Sequence, residues 1–296
     1  MNRGILYVVL AYALWGVLPV YWKSIKTVPP SEILCHRITW SLVFLVLILS
    51  FRNHWKWIRS VYTNKLILLT YVGTSMILSL NWFTYIWAVN SGYIVESSLG
   101  YFINPLISVV LGVIFLHERL RIGQWTAVVI AAAGVIYLTF NYGAFPWIAM
   151  ILAITFGFYG LLRKVVSFSA IEGLSMEMSI MFIPALIYLL YLEKTGSGSF
   201  GHIVLTKDLL LLFAGVATML PLLLFVKGTR KIDLSTVGIL QYIAPTLQFL
   251  IGVFVYCENF NKTRLYGFVI IWLALIIYTL ESIIMNRKKP ILIKPL

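Results

Sequence analysis

The sequence has little charge, few acids and almost no cysteine. Of its 296 residues only 11% are charged, whereas a soluble globular domain usually carries about a quarter. With 61% hydrophobic residues, a soluble fold of this length has too little interior to bury its apolar surface. The two cysteines, Cys35 and Cys257, provide neither a metal-type spacing nor a disulfide framework. We therefore expect the excess apolar surface to face lipid, in an integral membrane protein.

Motifs of nucleotide-driven and enzymatic chemistry are also missing. The sequence contains no G-x-x-x-x-G-K-[ST] phosphate loop, no H-E-x-x-H and no G-x-S-x-G. Its histidines are scattered, at His36, His54, His117 and His202. We expect no cofactor, no metal and no catalytic residues. An integral-membrane transferase is one alternative, but it needs clustered acid–base residues and the chain has ten acids in all; a channel or a scaffold subunit is another.

Ten apolar runs follow one another along the chain. A membrane-spanning helix needs about 20 mostly apolar residues, because the hydrocarbon core is about 30 Å thick. The runs cover residues 4–22, 33–51, 66–89, 94–116, 122–140, 145–162, 174–192, 208–226, 234–256 and 264–285. This pattern predicts an all-α integral membrane fold with ten transmembrane helices.

The basic residues predict how the chain is oriented. The net charge of +13 comes from residues between the apolar runs, not from one patch of the kind that binds nucleic acid. If the helices alternate in direction, 16 Lys and Arg residues lie on the side of the N-terminus and 6 on the other. Basic loops stay cytoplasmic, so both termini are expected inside the cell, with anionic lipid as a partner.

An internal repeat appears when the chain is shifted by 140 residues. Segment 94–118 then falls on 234–258 without gaps, with five identities at Ile103, Pro105, Gly112, Val113 and Glu118. We expect five-helix repeats at 1–142 and 143–286, followed by a basic cytoplasmic tail at 287–296. Because five is odd, the second repeat enters the membrane from the opposite side. Such inverted repeats are typical of secondary transporters, whose substrate site lies between the halves.

Two prolines occupy equivalent positions in these repeats. Pro105 and Pro245 lie inside the fourth and ninth runs, and a proline frees the carbonyl four residues earlier. A freed carbonyl must face protein, water or a ligand. A packing kink is the alternative interpretation, since proline is common in membrane helices. We expect Pro105 and Pro245 to act as hinges and the nearby polar residues to bind substrate, namely Tyr101, Asn104, Gln241 and Tyr242.

Further candidates are charged or polar residues inside the runs. His36 and Arg37 in the second run and Glu96 in the fourth are expected near the same face. They form either a structural ion pair or a site in which Arg37 holds a carboxylate while Glu96 or His36 takes up a proton. Asn81 and Tyr85, four residues apart, share one helix face and are expected to line a cavity.

Other polar and aromatic residues fit boundary positions. Glu118, Glu258 and Glu177 lie near the ends of their runs and are interpreted as boundary residues. Trp55, Trp57 and Trp147 are assigned to the interfacial belt that membrane proteins form, and the belt is also the alternative to a cavity for Trp82 and Trp87 in the third run.

Several of these segments together resemble a known family. The resemblance covers nearly the whole chain and rests on 15–16 (WG), 32–37 (EILCHR), 81–82 (NW), 96–106 (ESSLGYFINPL) and 240–246 (LQYIAPT). With these segments the chain resembles the RarD-type permeases of the EamA family, in the drug/metabolite transporter superfamily. The resemblance implies an inner-membrane exporter of a small organic metabolite or drug, built around a central cavity. The solute, its direction, the coupling ion and the choice between monomer and homodimer are left open.

Overall fold

The computed structural model describes residues 3–51, 55, 57–58, 65–90, 94–141, 146–166, 168–202, 204–255 and 262–288, which form helices and, within these ranges, no strand. The helices are α1 Arg3–Ser24, α2 Pro30–Phe51, α3 Lys65–Asn90, α4 Ile94–Leu116, α5 Ile122–Phe140, α6 Trp147–Val165, α7 Ala170–Lys194, α8 Leu205–Thr229, α9 Leu234–Leu240, α10 Ile243–Phe254 and α11 Lys262–Lys288. The all-helical prediction is confirmed.

Most of these helices have the length and composition of membrane spans. Within the described ranges, eight are long and apolar enough to cross a membrane, namely α1 to α8. The ninth apolar run is divided into α9 and α10, and the tenth forms α11. Large apolar side chains such as Phe51, Ile122 and Phe140 remain exposed on the outside of the bundle, where lipid would cover them.

The two equivalent prolines differ in their effect on the helices. Helix α4 continues through Pro105 without a break, whereas the ninth run breaks at Gln241 and Tyr242, just before Pro245. Short turn bonds replace the regular helix there, including the Ala244 amide to the Gln241 carbonyl at 3.1 Å. The interruption expected at both prolines therefore occurs at only one of them.

Contacts between helix ends define two faces of the bundle. We call face A the side where Lys164 bonds the Ile232 carbonyl and Arg230 bonds the Phe168 carbonyl. Face A also holds the turn after α4, with Glu118.

The opposite side is called face B. There Lys207 donates to the Thr27 hydroxyl at 2.7 Å, and the Glu32 carboxylate accepts bonds from the Ser199 amide and hydroxyl. Helices α1 to α8 therefore cross the bundle alternately. The basic loops predicted to be cytoplasmic are those of face A.

The helices pack in recurring pairs. If α1, α2 and α3 correspond to α6, α7 and α8, each contact has a counterpart. Helix α1 packs on α8 and α6 packs on α3; likewise α2 packs on α8 and α7 packs on α3. If α4 and α5 correspond to α9–α10 and α11, the contact of α4 with α6 has its counterpart in that of α9 and α10 with α1, and α5 and α11 pack on each other. This recurrence is what two halves of similar structure would produce.

A close backbone contact joins α2 and α8 in the core. The Ser41 hydroxyl donates to the Gly215 carbonyl at 3.0 Å. A Cβ atom placed on Gly215 would lie 2.4 Å from the carbonyl carbon of Trp40, so the helices can approach this closely only because Gly215 has no side chain. The contact fixes how far apart the two helices stand.

The substitution Gly215→Ala should destabilise the protein, because its methyl group would overlap the α2 backbone. We expect a loss of about 1–3 kcal/mol, the usual cost of overpacking a core. Gly73→Ala in α3 is the matched control, since a Cβ at Gly73 meets no atom within 4 Å. Thermal unfolding in detergent should show a lower midpoint for Gly215→Ala than for Gly73→Ala, and equal midpoints would contradict the assigned contact.

Glu118 clamps the turn after α4 to the start of α9. Its carboxylate accepts bonds from the Leu234 amide at 2.6 Å, the Ser235 amide at 2.9 Å and the Ser235 hydroxyl at 2.6 Å. Lys164 at the end of α6 donates to the same carboxylate at 3.2 Å. Glu118 therefore lies at the boundary position expected from the sequence, and there it joins α4, α6 and α9.

The clamp should make stability depend on pH. Burial raises the pKa of Glu118, but hydrogen bonds from Ser235 and Leu234 and the charge of Lys164 lower it more, to below 4.5. The stabilisation is therefore complete above pH 4.5 and is lost as the pH falls through the lowered folded-state pKa. We expect Glu118→Gln to cost about 1.5–3 kcal/mol at neutral pH.

Unfolding midpoints between pH 3.5 and 7 test this expectation. Glu118→Gln should flatten the acid side of the curve relative to the parent protein. The exposed Glu193→Gln on α7 is the control and should leave the curve unchanged. A Glu118→Gln curve that runs parallel to that of the parent would show that the clamp has little energetic weight.

Candidate functional site

A cavity of about 110 Å³ lies at the centre of the bundle. It is bordered by α1, α2, α3, α4, α6, α8 and the broken ninth span. The lining residues are Tyr12, Trp15, Leu18, Pro19, Trp22, Arg37, Asn81, Trp82, Tyr85, Tyr101, Phe156, Thr218, Leu222, Gln241, Ala244 and Gln248. Those of α1, α2 and α3 mostly belong to the half of each helix nearer face B, so the cavity extends from the middle of the bundle toward that face.

Arg37 supplies the positive charge of this cavity. Its Nε donates to the Thr218 hydroxyl at 2.9 Å. The guanidinium carbon lies 4.8 Å from the ring centre of Trp22 and 4.9 Å from that of Trp82. Both distances fit cation–π contacts, which stabilise a cation without neutralising it. None of the lining residues is acidic, and the expected partner Glu96 lies outside the described side chains.

The close contact of α2 and α8 lies near the bond between Arg37 and Thr218. Arg37 lies one helical turn before Ser41, and Thr218 lies nearly one turn after Gly215. Both helices begin at face B, so the step from Ser41 to Arg37 leads toward face B and the step from Gly215 to Thr218 leads toward face A. The long Arg37 side chain spans this offset to reach the Thr218 hydroxyl.

Asn81 joins the cavity wall to α6. Its amide nitrogen donates to the Leu152 carbonyl at 3.0 Å and to the Thr155 hydroxyl at 2.9 Å. A lone amide in an apolar helix is costly unless it is bonded, and here the bonds go to a neighbouring helix. Asn81 therefore serves both as a lining residue and as a tie between α3 and α6.

Aromatic side chains and one amide complete the polar wall. The rings of Tyr85 and Tyr101 meet edge to face, with centroids 5.9 Å apart. Gln241, at the break between α9 and α10, accepts a bond from the Tyr12 hydroxyl at 3.4 Å. Trp15 meets the Phe156 ring at 5.6 Å. The site therefore offers one cation, several hydroxyl and amide groups, and flat aromatic surfaces.

Some of the predicted site residues lie outside the cavity lining. His36 accepts a bond from the Trp40 indole at 3.2 Å and lies near Glu32, in a cluster at face B. Asn104 donates to the Ala153 carbonyl at 2.7 Å, and the Tyr242 hydroxyl donates to the Phe102 carbonyl at 3.2 Å.

The helical period accounts for this division. Adjacent residues on a helix point about 100° apart, so Arg37 faces the cavity when His36 does not. Likewise, at the break between α9 and α10, Gln241 faces the cavity and the adjacent Tyr242 does not. Arg37, Asn81, Tyr85, Tyr101 and Gln241 are thus brought together, while His36, Asn104 and Tyr242 support the surrounding packing.

Several lining residues were missed from the sequence. Trp22 and Trp82 contact Arg37; the interfacial alternative obscured Trp82, and Trp22 was not singled out at the end of its run. Gln248 had a usable signal, since it is a lone amide in an apolar run, like Asn81; it donates to the Trp15 carbonyl at 3.2 Å. Thr218 carried no signal, because threonine is common inside membrane helices.

A second charged group lies between the cavity and face A. Arg163 and Glu177 are both fully buried, and Arg163 Nε lies 3.8 Å from Glu177 Oε1. Tyr159 donates to the Glu177 carboxylate at 3.1 Å, and Arg163 donates to the Tyr71 hydroxyl at 3.1 Å. The interpretation of Glu177 as a boundary residue is therefore wrong: the rotation of α7 points its side chain inward, toward Arg163.

Comparisons with known proteins agree with this architecture. The model of the EamA-like transporter family matches the chain twice, at residues 2–140 and 146–280. The uncharacterized transporter YojE of Bacillus subtilis is 45% identical, over 97% of this chain and 96% of that protein. Protein RarD of Escherichia coli is 38% identical, over 97% of each.

One solved structure, described only as a protein crystal structure, has the same fold. It superposes with a TM-score of 0.69 at 18% identity and covers 94% of this chain and 98% of its own. At that identity the likeness extends to the fold alone. The two family matches and the near full-length relatives lead to one conclusion: the chain belongs to the EamA-like transporter family, as a RarD-type permease that crosses a bacterial membrane several times.

Proposed function

We propose that this permease is a secondary transporter that moves a small organic solute with an anionic group by alternating access. The solute binds in the central cavity, where Arg37 holds the anionic group. Asn81, Tyr85, Tyr101 and Gln241 orient the remainder of the solute. Transport is outward through the bacterial inner membrane, with face A and both termini in the cytoplasm.

The observation that carries this proposal is the environment of Arg37. A charged side chain at membrane depth is costly and usually marks a functional site. Arg37 makes one hydrogen bond to a neutral hydroxyl and two contacts to indole rings, and no described carboxylate lines the same cavity. Guanidinium groups bind carboxylate and phosphate through paired hydrogen bonds, so an anionic ligand group complements this site.

The aromatic wall indicates the rest of the solute. Ligand pockets are mostly apolar, with a few polar groups that fix orientation. Trp15, Trp22, Trp82 and Phe156 provide flat apolar surface around a single cation. The cavity of about 110 Å³ is smaller than the roughly 300–1,000 Å³ of ordinary ligand pockets, so it would have to widen to hold a metabolite and to release it at face B.

Two related halves support alternating access. The family model matches once in each half of the chain, which favours repeats at 1–142 and 143–286. The recurring helix pairs fit a two-fold relation between them, and five spans in each half would make that relation inverted. Rocking of the halves, with Pro245 at the break and Pro105 in the equivalent helix as hinges, would expose the cavity to one face at a time.

Arg37→Gln should abolish export, because it removes the charge while keeping a polar side chain of similar length. Metabolite levels in medium and cytosol are compared between a deletion strain and strains that re-express each variant. An organic anion retained by the deletion strain should be released again by the parent protein but not by Arg37→Gln. Arg37→Lys should restore export only in part, because an ammonium group does not form the paired hydrogen bonds of guanidinium.

Arg119→Gln is the matched control, since Arg119 is an exposed arginine in the turn after α4. It should restore export fully at equal membrane expression. Full export by Arg37→Gln would remove Arg37 from the binding site. If the deletion strain and the parent strain retained the same solutes, the transport function itself would be contradicted.

A further inference from the structure

We propose that Arg163 and Glu177 form a gate that closes the cavity toward face A, and that protonation of Glu177 opens this gate. The proposal rests on the transport function proposed above. It assigns a role to the most deeply buried charges described in the bundle, which the binding site itself does not use.

The pair is built into the packing but loosely bonded. Arg163 Nε and Glu177 Oε1, 3.8 Å apart, are too distant for a hydrogen bond, and neither atom has a hydrogen-bond partner in the described structure. Gly173 makes room for the guanidinium, since a Cβ there would lie 2.1 Å from Arg163 Nη1. A pair that is buried yet incompletely bonded fits a contact that has to break more readily than a structural one.

The pair lies where a closed gate is needed. Tyr159, which bonds Glu177, stacks on Phe225 with centroids 6.4 Å apart, and Phe225 meets Tyr12 of the cavity wall. An aromatic layer thus separates the cavity from the pair. The next residue after Arg163 is Lys164, which bonds the Ile232 carbonyl at face A. Along α6, Phe156 lines the cavity and Lys164 lies at face A, so Arg163 lies between the two.

The repeat relates the pair to residues of the open side. The offset of 141 residues that carries Lys23 onto Lys164 also carries Trp22 onto Arg163. The offset of 140 residues carries Arg37 onto Glu177. Trp22 and Arg37 line the cavity toward face B. In a state in which each half takes the conformation that the other half has here, Arg163 and Glu177 would line a cavity open to face A.

Charge provides the trigger. Parting α6 from α7 while Glu177 is ionised separates opposite charges and leaves a carboxylate without its partner, which is strongly unfavourable. A proton from water at face A, added to a Glu177 oxygen, gives a neutral carboxylic acid and removes the attraction. Arg163 keeps its bond to the Tyr71 hydroxyl of α3.

The surroundings of Glu177 contain few other ionisable groups. Helix α6 presents Arg163 and Tyr159, and α3 presents Tyr71. Helix α8 brings Arg230, whose charge acts on Tyr71. Helix α2 makes no ion pair with Glu177 in the described structure. Glu177 is therefore the one carboxylate in this described cluster, which makes it the group to test.

Cysteine labelling tests the gate without knowledge of the solute. Cys35 and Cys257 are first replaced by alanine. Single cysteines are then introduced as Ser175→Cys, buried in α7 two residues before Glu177, and Leu18→Cys, in the cavity wall. Maleimide labelling rates in detergent are measured from pH 8 to pH 5, each divided by the rate for the unfolded protein at the same pH, because thiol reactivity itself depends on pH.

Labelling of Ser175→Cys should rise by about tenfold as the pH falls, the size of change expected when a minor state becomes dominant. Glu177→Gln should give the high rate at every pH. Glu172→Gln on the same helix is the control, since glutamine preserves the capping arrangement with Ser169, and it should keep the pH response. Glu96→Gln should keep it as well.

Labelling that does not change with pH, or a pH response that persists in Glu177→Gln, would overturn the gate. A response lost in Glu96→Gln but kept in Glu177→Gln would assign the switch to Glu96 instead. If Glu177→Gln fails to fold, Glu177→Asp decides, because an unshifted pH midpoint in that variant would also overturn the proposal.

The second reporter separates this proposal from the transport proposal. Alternating access requires labelling of Leu18→Cys to fall as that of Ser175→Cys rises. A rise at Ser175→Cys with no change at Leu18→Cys would support the gate but contradict alternating access. Reciprocal changes that do not respond to pH or to Glu177→Gln would support alternating access and overturn the gate.

Discussion

Polar groups at membrane depth must be satisfied inside the protein, because lipid offers them no hydrogen bonds. In the described part of this bundle many serine and threonine hydroxyls do so within their own helix, whereas the amide and charged side chains in and beside the cavity do so by bonding a different helix. Asn81 ties α3 to α6, Arg37 ties α2 to α8, and Arg163 ties α6 to α3 and α7. Apolar packing alone drives helices together only weakly in lipid, so these bonds specify which helices are neighbours and at what rotation. The central cavity exists where several of these polar side chains converge.

Much of the fold follows from the sequence because it depends on one strong constraint. A span must be apolar over about 20 residues, so the apolar runs predict the helices closely. The site depends on helix rotation, which an almost wholly apolar helix does not reveal. Arg37 and His36 are adjacent in sequence, yet only Arg37 lines the cavity. Glu177 looks like a boundary residue by position, and only the rotation of α7 shows that it faces Arg163.

The equivalent prolines illustrate how one sequence feature takes two structural forms. Helix α4 continues through Pro105, while the ninth span breaks before Pro245. The two segments meet directly, since the Pro105 carbonyl oxygen would lie 2.6 Å from a Cβ on Gly238 in α9. Two segments that are similar in sequence and in contact with each other therefore have different conformations.

The setting of Arg37 has an electrostatic consequence. Indole faces hold a cation through their quadrupole and, unlike a carboxylate, add no net negative charge. Under the proposed function, an entering anion displaces no counter-ion among the described lining residues, and the attraction it meets does not depend on the protonation of any acid among them. An entering cation has the same sign of charge as Arg37 and is repelled by it. Trp22 and Trp82 would thus make the chamber of the proposed transporter selective for the sign of the solute's charge.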